Sequence, residues 1–419
     1  MIRFLIVVSY LIISIGCAEQ SIQDMDGEKW QEDLDYLAKE LPKRHKNLYH
    51  QVSAEKFQRA IENLKQNVPT LSNHEIAVEF ARIVAMIGDG HTELSLIQSA
   101  TQFERIPLYF YYFGDSLYII AATESYKSTI GSRVLKIGKS SVEESFEAVK
   151  ALISHDNDME YRHSGPRYLA VPKILHALKL TENMEYENFV VEATSGEIDT
   201  IRVKAFESGQ TQDWQTALAL SGNKKPLFLQ NQGNNYWFTF LDDTKTLYLN
   251  YNRCQNQNGK PSIKEFAKEV FNFVDNNTID RFIFDLRDNS GGNMKLNRPL
   301  IEGIIERYSI NLKGNLFVIT GRRTFSAGTK AAIELKKNTE AIFVGEPSRG
   351  KPNGYGEIEK FRLPNSNIVV EYSVEFYTMI PELGDANYLA VDIPVENSYK
   401  DYAEGRDKVF EKILSHHEN

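Results

Sequence analysis

Hydrophobic residues recur at helical spacing in the first part of the chain, between residues 24 and 87. In "WQEDLDYLAKELPKRH" the apolar positions lie three or four residues apart, which predicts an amphipathic helix. In "LSNHEIAVEFARIVAMIGDGH", Ser72 and Glu75 form an S-x-x-E capping box ahead of a second apolar stripe. Gly88 is placed to end this helix, so that a tight turn follows and presents His91.

The middle of the chain changes to strand patterns. The segments "ERIPLYFYYFGDSLYIIAA" and "ENFVVEATSGEIDTIRVKAF" each predict a β-hairpin, and "IGSRVLKIGKSSVEESFEAV" between them predicts a strand, a turn and a helix. We therefore expect a small mixed unit between about residues 101 and 210. The Asn- and Gly-rich stretch "LSGNKKPLFLQNQGNNYW" is the expected linker behind it.

From Trp237 onward, strands alternate with helices. The runs "RFIFDL", "NLFVIT" and "AIFVGE" are continuously apolar, as expected of strands buried on both faces, and helical patterns separate them. This alternation predicts a largely parallel sheet covered by helices. Because ligands gather at the carboxyl ends of such strands, the loops "RDNSGGN", "GRRTFSAG" and "PSRGKPNGYGE" are candidates for a functional site.

Composition narrows the possible functions. The chain has 419 residues, of which 42% are hydrophobic, so it can bury a large core and more than one domain is expected. The net charge of −9, without any Lys/Arg-rich run, argues against nucleic-acid binding.

The first residues, "MIRFLIVVSYLIISIGCAEQ", have the features of a secretory signal. Arg3 precedes an apolar run that is too short to span a bilayer as a mature helix. The ending Ser14-Ile15-Gly16-Cys17 resembles a bacterial lipoprotein box, with Ser14 where Leu is usual, so Cys17 is predicted to be lipidated and to tether the protein to a membrane. Ordinary cleavage that leaves Cys17 unmodified is the alternative.

Ser326, in "GRRTFSAG", is the candidate nucleophile. It lies at a predicted strand-to-helix turn, where free backbone N–H groups and the positive end of the helix dipole can stabilise an oxyanion. A plain helix N-cap is the alternative interpretation, because serine is favoured there. Thr324 stands where an α/β-hydrolase elbow needs glycine, and "HEIAV" lacks the second histidine of a zinc H-E-x-x-H pair, so neither of those mechanisms fits.

Three other segments carry candidate chemistry. Gly291 and Gly292 follow a buried strand, where the backbone can approach a ligand closely. His91 can act as a base near neutral pH, and Lys351 can do so if burial lowers its pKa. Taken one at a time, these features are more often a simple turn and a solvated lysine.

Taken together, the motifs resemble a known family. "GDGHTEL", "DLRDNSGGN", "TGRRTFSAG" and "VGEPSRGKPNGYGE" occur in this order in the tail-specific (C-terminal processing) serine peptidases. That superfamily also includes the tricorn core protease and the interphotoreceptor retinoid-binding protein. The resemblance covers most of the chain, from about Leu41 to the segment "VDIPVENSYKDYAEGRDKV" near the C-terminus.

The resemblance implies a domain order. A signal peptide (1–17) would precede an N-terminal helical segment (18–100), a PDZ-like α+β domain with a linker (101–225), and an α/β catalytic core of crotonase-like spiral topology (226–419). The stretch "GSRVLKIGKSSVEE" is similar to a PDZ turn, with Ser132 where Asp is usual.

The resemblance also implies residue roles. Ser326 matches the family's nucleophile, and the oxyanion donors would be the N–H of Ala327 and one N–H of the Gly291-Gly292 turn.

The base differs between branches of the superfamily. Lys351 follows Ser326 by 25 positions, as in the bacterial tail-specific branch, but Tyr355 replaces the glutamine of that branch. His91 matches the histidine of the tricorn branch, although Gly90 replaces the preceding serine, and Glu357 is a candidate for the supporting glutamate. We favour His91 because an imidazole needs no pKa shift to accept a proton near pH 7, and we leave Lys351 as a positioning cation or the alternative base.

The resulting hypothesis is an exported, lipid-anchored serine peptidase that cleaves peptides or unfolded proteins in the cell envelope through an acyl-enzyme. No metal or organic cofactor is implied, and the sequence does not specify an oligomeric state. A catalytically inactive binder of peptide or apolar ligand on the same fold is the main alternative. An esterase or acyltransferase using the same oxyanion hole is a third.

Overall fold

A computed structural model describes residues 22–98, 101–206 and 213–416. Short 3-10 turns separate many of the elements. The α-helices are α1 (Gly27–Arg44), α2 (Ala54–Asn67), α3 (Asn73–Ala85), α4 (Val142–Lys150), α5 (Asp158–Tyr168), α6 (Pro172–Ala177), α7 (Ala217–Ser221), α8 (Ile263–Asn276), α9 (Arg298–Ile305), α10 (Ala327–Asn338), α11 (Tyr399–Ala403) and α12 (Lys408–Leu414). The strands are β1 (Leu108–Phe113), β2 (Ser116–Thr123), β3 (Arg133–Ile137), β4 (Ser140–Ser141), β5 (Tyr186–Glu192), β6 (Ile198–Lys204), β7 (Trp214–Thr216), β8 (Tyr236–Leu241), β9 (Thr246–Tyr251), β10 (Arg281–Asp285), β11 (Leu316–Thr320), β12 (Ile342–Gly345), β13 (Asn353–Arg362), β14 (Val369–Thr378) and β15 (Ile393–Pro394).

The first three helices bury the apolar stripes that the sequence predicts. The capping box at the start of α3 is present, because Ser72 and Glu75 satisfy each other's backbone N–H groups. Trp30 of α1 is fully buried, and its indole N–H donates to Asn73 Oδ1 over 2.8 Å, which joins α1 to the start of α3. The backbone after α3 turns at Gly88, whose φ of +75° suits glycine, and leads into the loop of His91.

The middle of the chain forms an antiparallel sheet in the order β1-β2-β3-β5-β6, with β4 and β7 at its edges. Both predicted hairpins, β1–β2 and β5–β6, are confirmed in antiparallel register. The apolar residues of this sheet belong to the same hydrophobic cluster as α1, α2 and α3.

The last part of the chain builds a six-stranded sheet in the order β15-β12-β11-β10-β9-β8. All neighbours pair in parallel except β8 and β9. Helices α8, α9 and α10 pack on one face and α12 on the other, so β10 and β11 are buried on both faces as predicted. The loops after β10, β11 and β12 therefore leave the same edge of the sheet.

A long hairpin, β13–β14, joins the two parts of the molecule. Its distal end contributes Phe361, Val370 and Tyr372 to the hydrophobic cluster of the N-terminal helices. Glu371 pairs with Glu93 as an isolated antiparallel bridge.

The mixed α/β class is confirmed. No helix within the described ranges is both long and apolar enough to cross a membrane. The predicted lipidation site Cys17 lies outside the described residues. The other cysteine, Cys254, is fully buried.

Candidate functional site

Ser326 lies between β11 and α10 in a backbone conformation that serine rarely adopts. Its φ is +49° and its ψ is −125°, outside the regions that suit residues with a side chain. It occupies the N-cap position of α10, but its side chain makes no capping hydrogen bond. The plain N-cap interpretation therefore fails, and a strained backbone that holds a free hydroxyl is a feature of functional sites.

The turn before Ser326 is fixed by buried hydrogen bonds. Thr324 Oγ1 donates to the carbonyl of Leu286 over 2.8 Å and accepts from the N–H of Gly321 over 3.0 Å. The N–H of Phe325 donates to the carbonyl of Asn289 over 2.9 Å. The loops after β10 and β11 are thus held together, which fixes Ser326 against the Gly291-Gly292 turn.

The glycine turn lies directly against Ser326. A Cβ added to Gly291 would lie 2.7 Å from Ser326 Cβ, and one added to Gly292 would lie 2.5 Å from the carbonyl oxygen of Cys254. The N–H of Gly291 donates to Asn289 Oδ1 over 2.9 Å. The N–H groups of Gly292 and Ala327 have no acceptor among the described residues, so these two remain available to an oxyanion.

His91 lines the same small pocket as Ser326. His91 is 5% exposed, and its ring stacks on Phe325 with the two ring centroids 4.3 Å apart. Neither ring nitrogen has a hydrogen-bond partner among the described residues. Burial lowers the pKa of His91 to about 4, with a further lowering from the charge of Lys330, so the imidazole is neutral at pH 7.

The loop that carries His91 is organised by the buried carboxylate of Asp89. One oxygen accepts the backbone N–H of His91 over 2.9 Å, and the other accepts Ser373 Oγ of β14 over 2.6 Å. Thr92 Oγ1 and His45 Nε2 also contact this carboxylate. Burial opposes ionisation, but these partners outweigh it and lower the pKa of Asp89 to about 2. Asp89 therefore positions the backbone of His91 rather than its ring.

Of the three remaining predicted side chains, Lys351 and Tyr355 line the pocket with Ser326 and His91. Lys351 Nζ donates to Asp385 Oδ1 over 3.2 Å, and the Tyr355 ring lies 4.3 Å from that of His50. Glu357 lies outside the lining of this pocket, is exposed, and accepts the hydroxyl of Tyr377 over 3.1 Å.

A lysine and a carboxyl group that were not predicted also line the pocket. Lys330 lies one helical turn after Ser326 on α10, and burial lowers its pKa to about 8. Asp156 accepts the N–H of Gly90 over 2.8 Å, and burial together with Asp89 raises its pKa to about 7. Nothing local in the sequence marks either residue as part of a site.

This arrangement can support acyl transfer. A hydroxyl on a strained turn, a neutral imidazole in the same pocket and two free N–H groups beside the hydroxyl are the three components of a serine hydrolase site. No hydrogen bond joins His91 to Ser326 in the described structure, and such bonds often form only when substrate is bound.

Comparisons with known proteins identify the fold. No protein-family model and no curated protein matches this sequence. Among solved structures, mature CPAF complexed with lactacystin matches with a TM-score of 0.64 and 14% identity over 93% of this chain and 98% of that one. A second structure of mature CPAF gives a TM-score of 0.61 and 14% identity, covering 93% and 96% of the two chains.

The tricorn protease matches at a lower TM-score of 0.44, with 14% identity over 93% of this chain and 36% of that one. The chain shares the fold of mature CPAF over nearly its whole described length, and the resemblance to the tail-specific serine peptidases is confirmed at the level of the fold.

Proposed function

We propose that this protein is a serine peptidase in which Ser326 is the nucleophile and His91 the general base. The observation that carries the proposal is the conformation of Ser326, which has a φ of +49°, no capping hydrogen bond, and two free backbone N–H groups beside it. A serine that only caps a helix uses its side chain to accept a helix N–H, whereas a nucleophile needs a free hydroxyl beside donors for the oxyanion.

The reaction follows from the positions of these groups. Ser326 Oγ attacks the scissile carbonyl carbon, and its proton moves to a ring nitrogen of His91. The oxyanion accepts the N–H groups of Gly292 and Ala327 while the tetrahedral intermediate exists. The intermediate collapses as the C–N bond breaks, and the leaving amine takes the proton from His91. Water then attacks the ester with the same base, which releases the acid and restores Ser326.

His91 is favoured as the base over the two lysines of the pocket. Neither ring nitrogen has a partner in the part of the chain that the structure describes, and the lowered pKa keeps one of them free to accept a proton throughout the neutral range. Lys351 already donates to Asp385. Lys330, with a pKa of about 8, is mostly protonated at pH 7 and cannot accept a proton in that form.

The cellular setting is proposed from the sequence. Residues 1–17 direct export, Cys17 carries a lipid anchor, and peptides or unfolded proteins of the cell envelope are the substrates. In the same proposal, residues 101–225 are a PDZ-like unit and residues 226–419 a crotonase-like catalytic core.

Labelling by a fluorophosphonate probe tests the mechanism. Wild type is expected to be labelled and Ser326→Ala is not, while both give the same circular dichroism spectrum. The midpoint of labelling against pH identifies the base, because a midpoint near 4 fits His91 and one near 8 fits Lys330. Lactacystin, with which mature CPAF is complexed, is a second probe for the same pocket. Equal labelling of the folded Ser326→Ala variant would refute the assignment.

A second candidate function is supported by one observation. A cavity of about 600 Å³ lies between the β1–β2 hairpin, α5 and the loops after β10 and β11, within the size range of ligand sites. Its lining combines aromatic side chains such as Tyr109 and Phe113 with several arginines. A non-catalytic binder would use this cavity, and it would bind ligand normally after Ser326→Ala.

A further inference from the structure

The pocket beside Ser326 is rich in positive charge. Lys330 and Lys351 both line it, and the only carboxyl group among its lining residues is that of Asp156. Because the pKa of Asp156 is raised to about 7, this carboxyl is about half protonated at neutral pH. Ile333 and Met379 add apolar side chains to the lining.

Lys330 has no carboxylate partner within the described structure, unlike Lys351, which is paired with Asp385. Its ammonium lies 3.0 Å from the ring centroid of Tyr377 and 3.7 Å from Met294 Sδ. Burial lowers the pKa of Lys330 although the negative charge of Glu357 opposes this, and the Glu357 carboxylate accepts the hydroxyl of Tyr377 rather than the ammonium. A half-buried cation held only by an aromatic face and a thioether is open to a stronger anionic partner.

The helix places this cation close to the reacting bond. Lys330 is the fourth residue of α10, and its backbone N–H donates to the carbonyl of Ser326, the N-cap residue, over 3.0 Å. Side chains on a helix lean toward its N-terminus, which directs Lys330 back toward Ser326. Lys330 and Ser326 also line the same pocket, which places the ammonium in the surroundings of the scissile bond under the proposed mechanism.

We propose that Lys330 makes this site selective for substrates that carry a carboxylate side chain, Asp or Glu, at a residue adjoining the scissile bond. The inference rests on the proposed peptidase function and names its substrate class. The carboxylate accepts a charge-assisted hydrogen bond from Nζ. A neutral isostere such as Gln makes neither the charge contact nor an equal hydrogen bond.

Quenched peptides blocked at both ends test this, since the only carboxylate in them is then a side chain. In matched pairs, Glu or Gln stands at each position that flanks the cut. Wild type is expected to show a kcat/KM ratio of Glu to Gln of about tenfold to a hundredfold at one of these positions. In Lys330→Met this ratio falls to about one, and in Lys330→Arg most of it is retained. The control is Lys360, which lies on β13 with its side chain 69% exposed. Lys360→Met removes the same charge at a different place and is expected to keep the wild-type ratio.

The outcomes separate this proposal from the peptidase assignment. A wild-type ratio near one, or an unchanged ratio in Lys330→Met, overturns the role of Lys330 while Ser326 still reacts with a fluorophosphonate. Loss of cleavage of both peptides in Lys330→Met, with Lys330→Arg also inactive, overturns it too and points to Lys330 as a base. If wild type cleaves neither peptide and Ser326 is not labelled, the peptidase function fails and this inference fails with it.

Adding a free C-terminal carboxylate to the Gln peptide shows whether a chain terminus can replace the acidic side chain, and full replacement contradicts side-chain selectivity.

Discussion

The backbone around Ser326 leaves no room for a side chain at position 291. Gly291 has a φ of +108°, and an added Cβ would lie 2.7 Å from Ser326 Cβ. Either the serine or the glycine turn would have to move, and the N–H of Gly292 would move with the turn. The conformations of Ser326 and Gly291 therefore depend on each other.

Gly291→Ala is expected to lower kcat/KM by about a hundredfold or more, the size of effect seen when an oxyanion donor is lost. Gly196→Ala is the matched control, because Gly196 also has a positive φ of +87° but a Cβ there meets nothing within 4 Å. Hydrolysis of a quenched peptide measures the effect. Equal activity of the two variants would show that the glycine turn does not support the reaction.

His91 is the second residue whose surroundings set its chemistry. His91→Asn is expected to lower kcat by about a hundredfold to ten-thousandfold at pH 7, which is the usual contribution of a general base. His74 is an informative control, because burial also lowers its pKa to about 4 while it contacts His176, outside the lining of the Ser326 pocket. If the kcat of His91→Asn equals that of His74→Asn, His91 is not the base.

At the scale of elements, β14 holds the loop of His91 in place. The hydroxyl of Ser373 donates to the buried carboxylate of Asp89. The backbone N–H of Ser373 donates to Thr92 Oγ1 over 3.2 Å. The loop and the strand are thus connected through side chains that are distant in sequence.

Ser373→Ala is expected to lower the free energy of unfolding by about 1.5–3 kcal/mol, because a hydrogen bond to a buried carboxylate is lost. We also expect kcat to fall while KM changes little, since His91 is displaced without loss of a substrate contact. Denaturant unfolding and steady-state kinetics measure the two effects. Ser366→Ala, which removes a buried hydroxyl next to the same hairpin but away from Asp89, is the control for kcat. Equal kcat values in both variants would contradict the positioning role.

Local patterns in the sequence predict many of these elements and few of their long-range contacts. The capping box of α3, the hairpin β1–β2 and the buried strands β10 and β11 follow from spacing and turn residues alone. The packing of β13–β14 against the N-terminal helices does not, because periodicity identifies a strand but not its partner. Lys330 is hidden for a related reason, since a lone lysine on a helix reads as a solvated residue.

At the scale of the whole molecule, the carboxyl of Asp156 makes the free energy of unfolding depend on pH. Its pKa is raised from an ordinary value near 4 to about 7 in the folded protein, so between these values the folded chain is protonated and the unfolded chain is ionised. Its contribution to stability is then fully present below about pH 4 and is lost as the pH rises through about 7.

Asp156→Asn is therefore expected to be more stable than wild type at pH 8, with a melting temperature a few degrees higher, and this advantage shrinks toward pH 4. Asparagine keeps an oxygen that can accept the N–H of Gly90. Differential scanning fluorimetry across pH measures the trend, with the exposed neighbour Asp158→Asn as control. A constant difference at every pH would mean that this carboxyl does not titrate as described.

The contact between Asp89 and Ser373 also constrains when the protein can become active during its synthesis. These two residues are 284 positions apart, and the second belongs to β14. A ribosome must therefore translate residue 373 before the loop of His91 can be held in place. A chain that terminates before that point lacks this support, so under the proposed mechanism it has no positioned base and no activity.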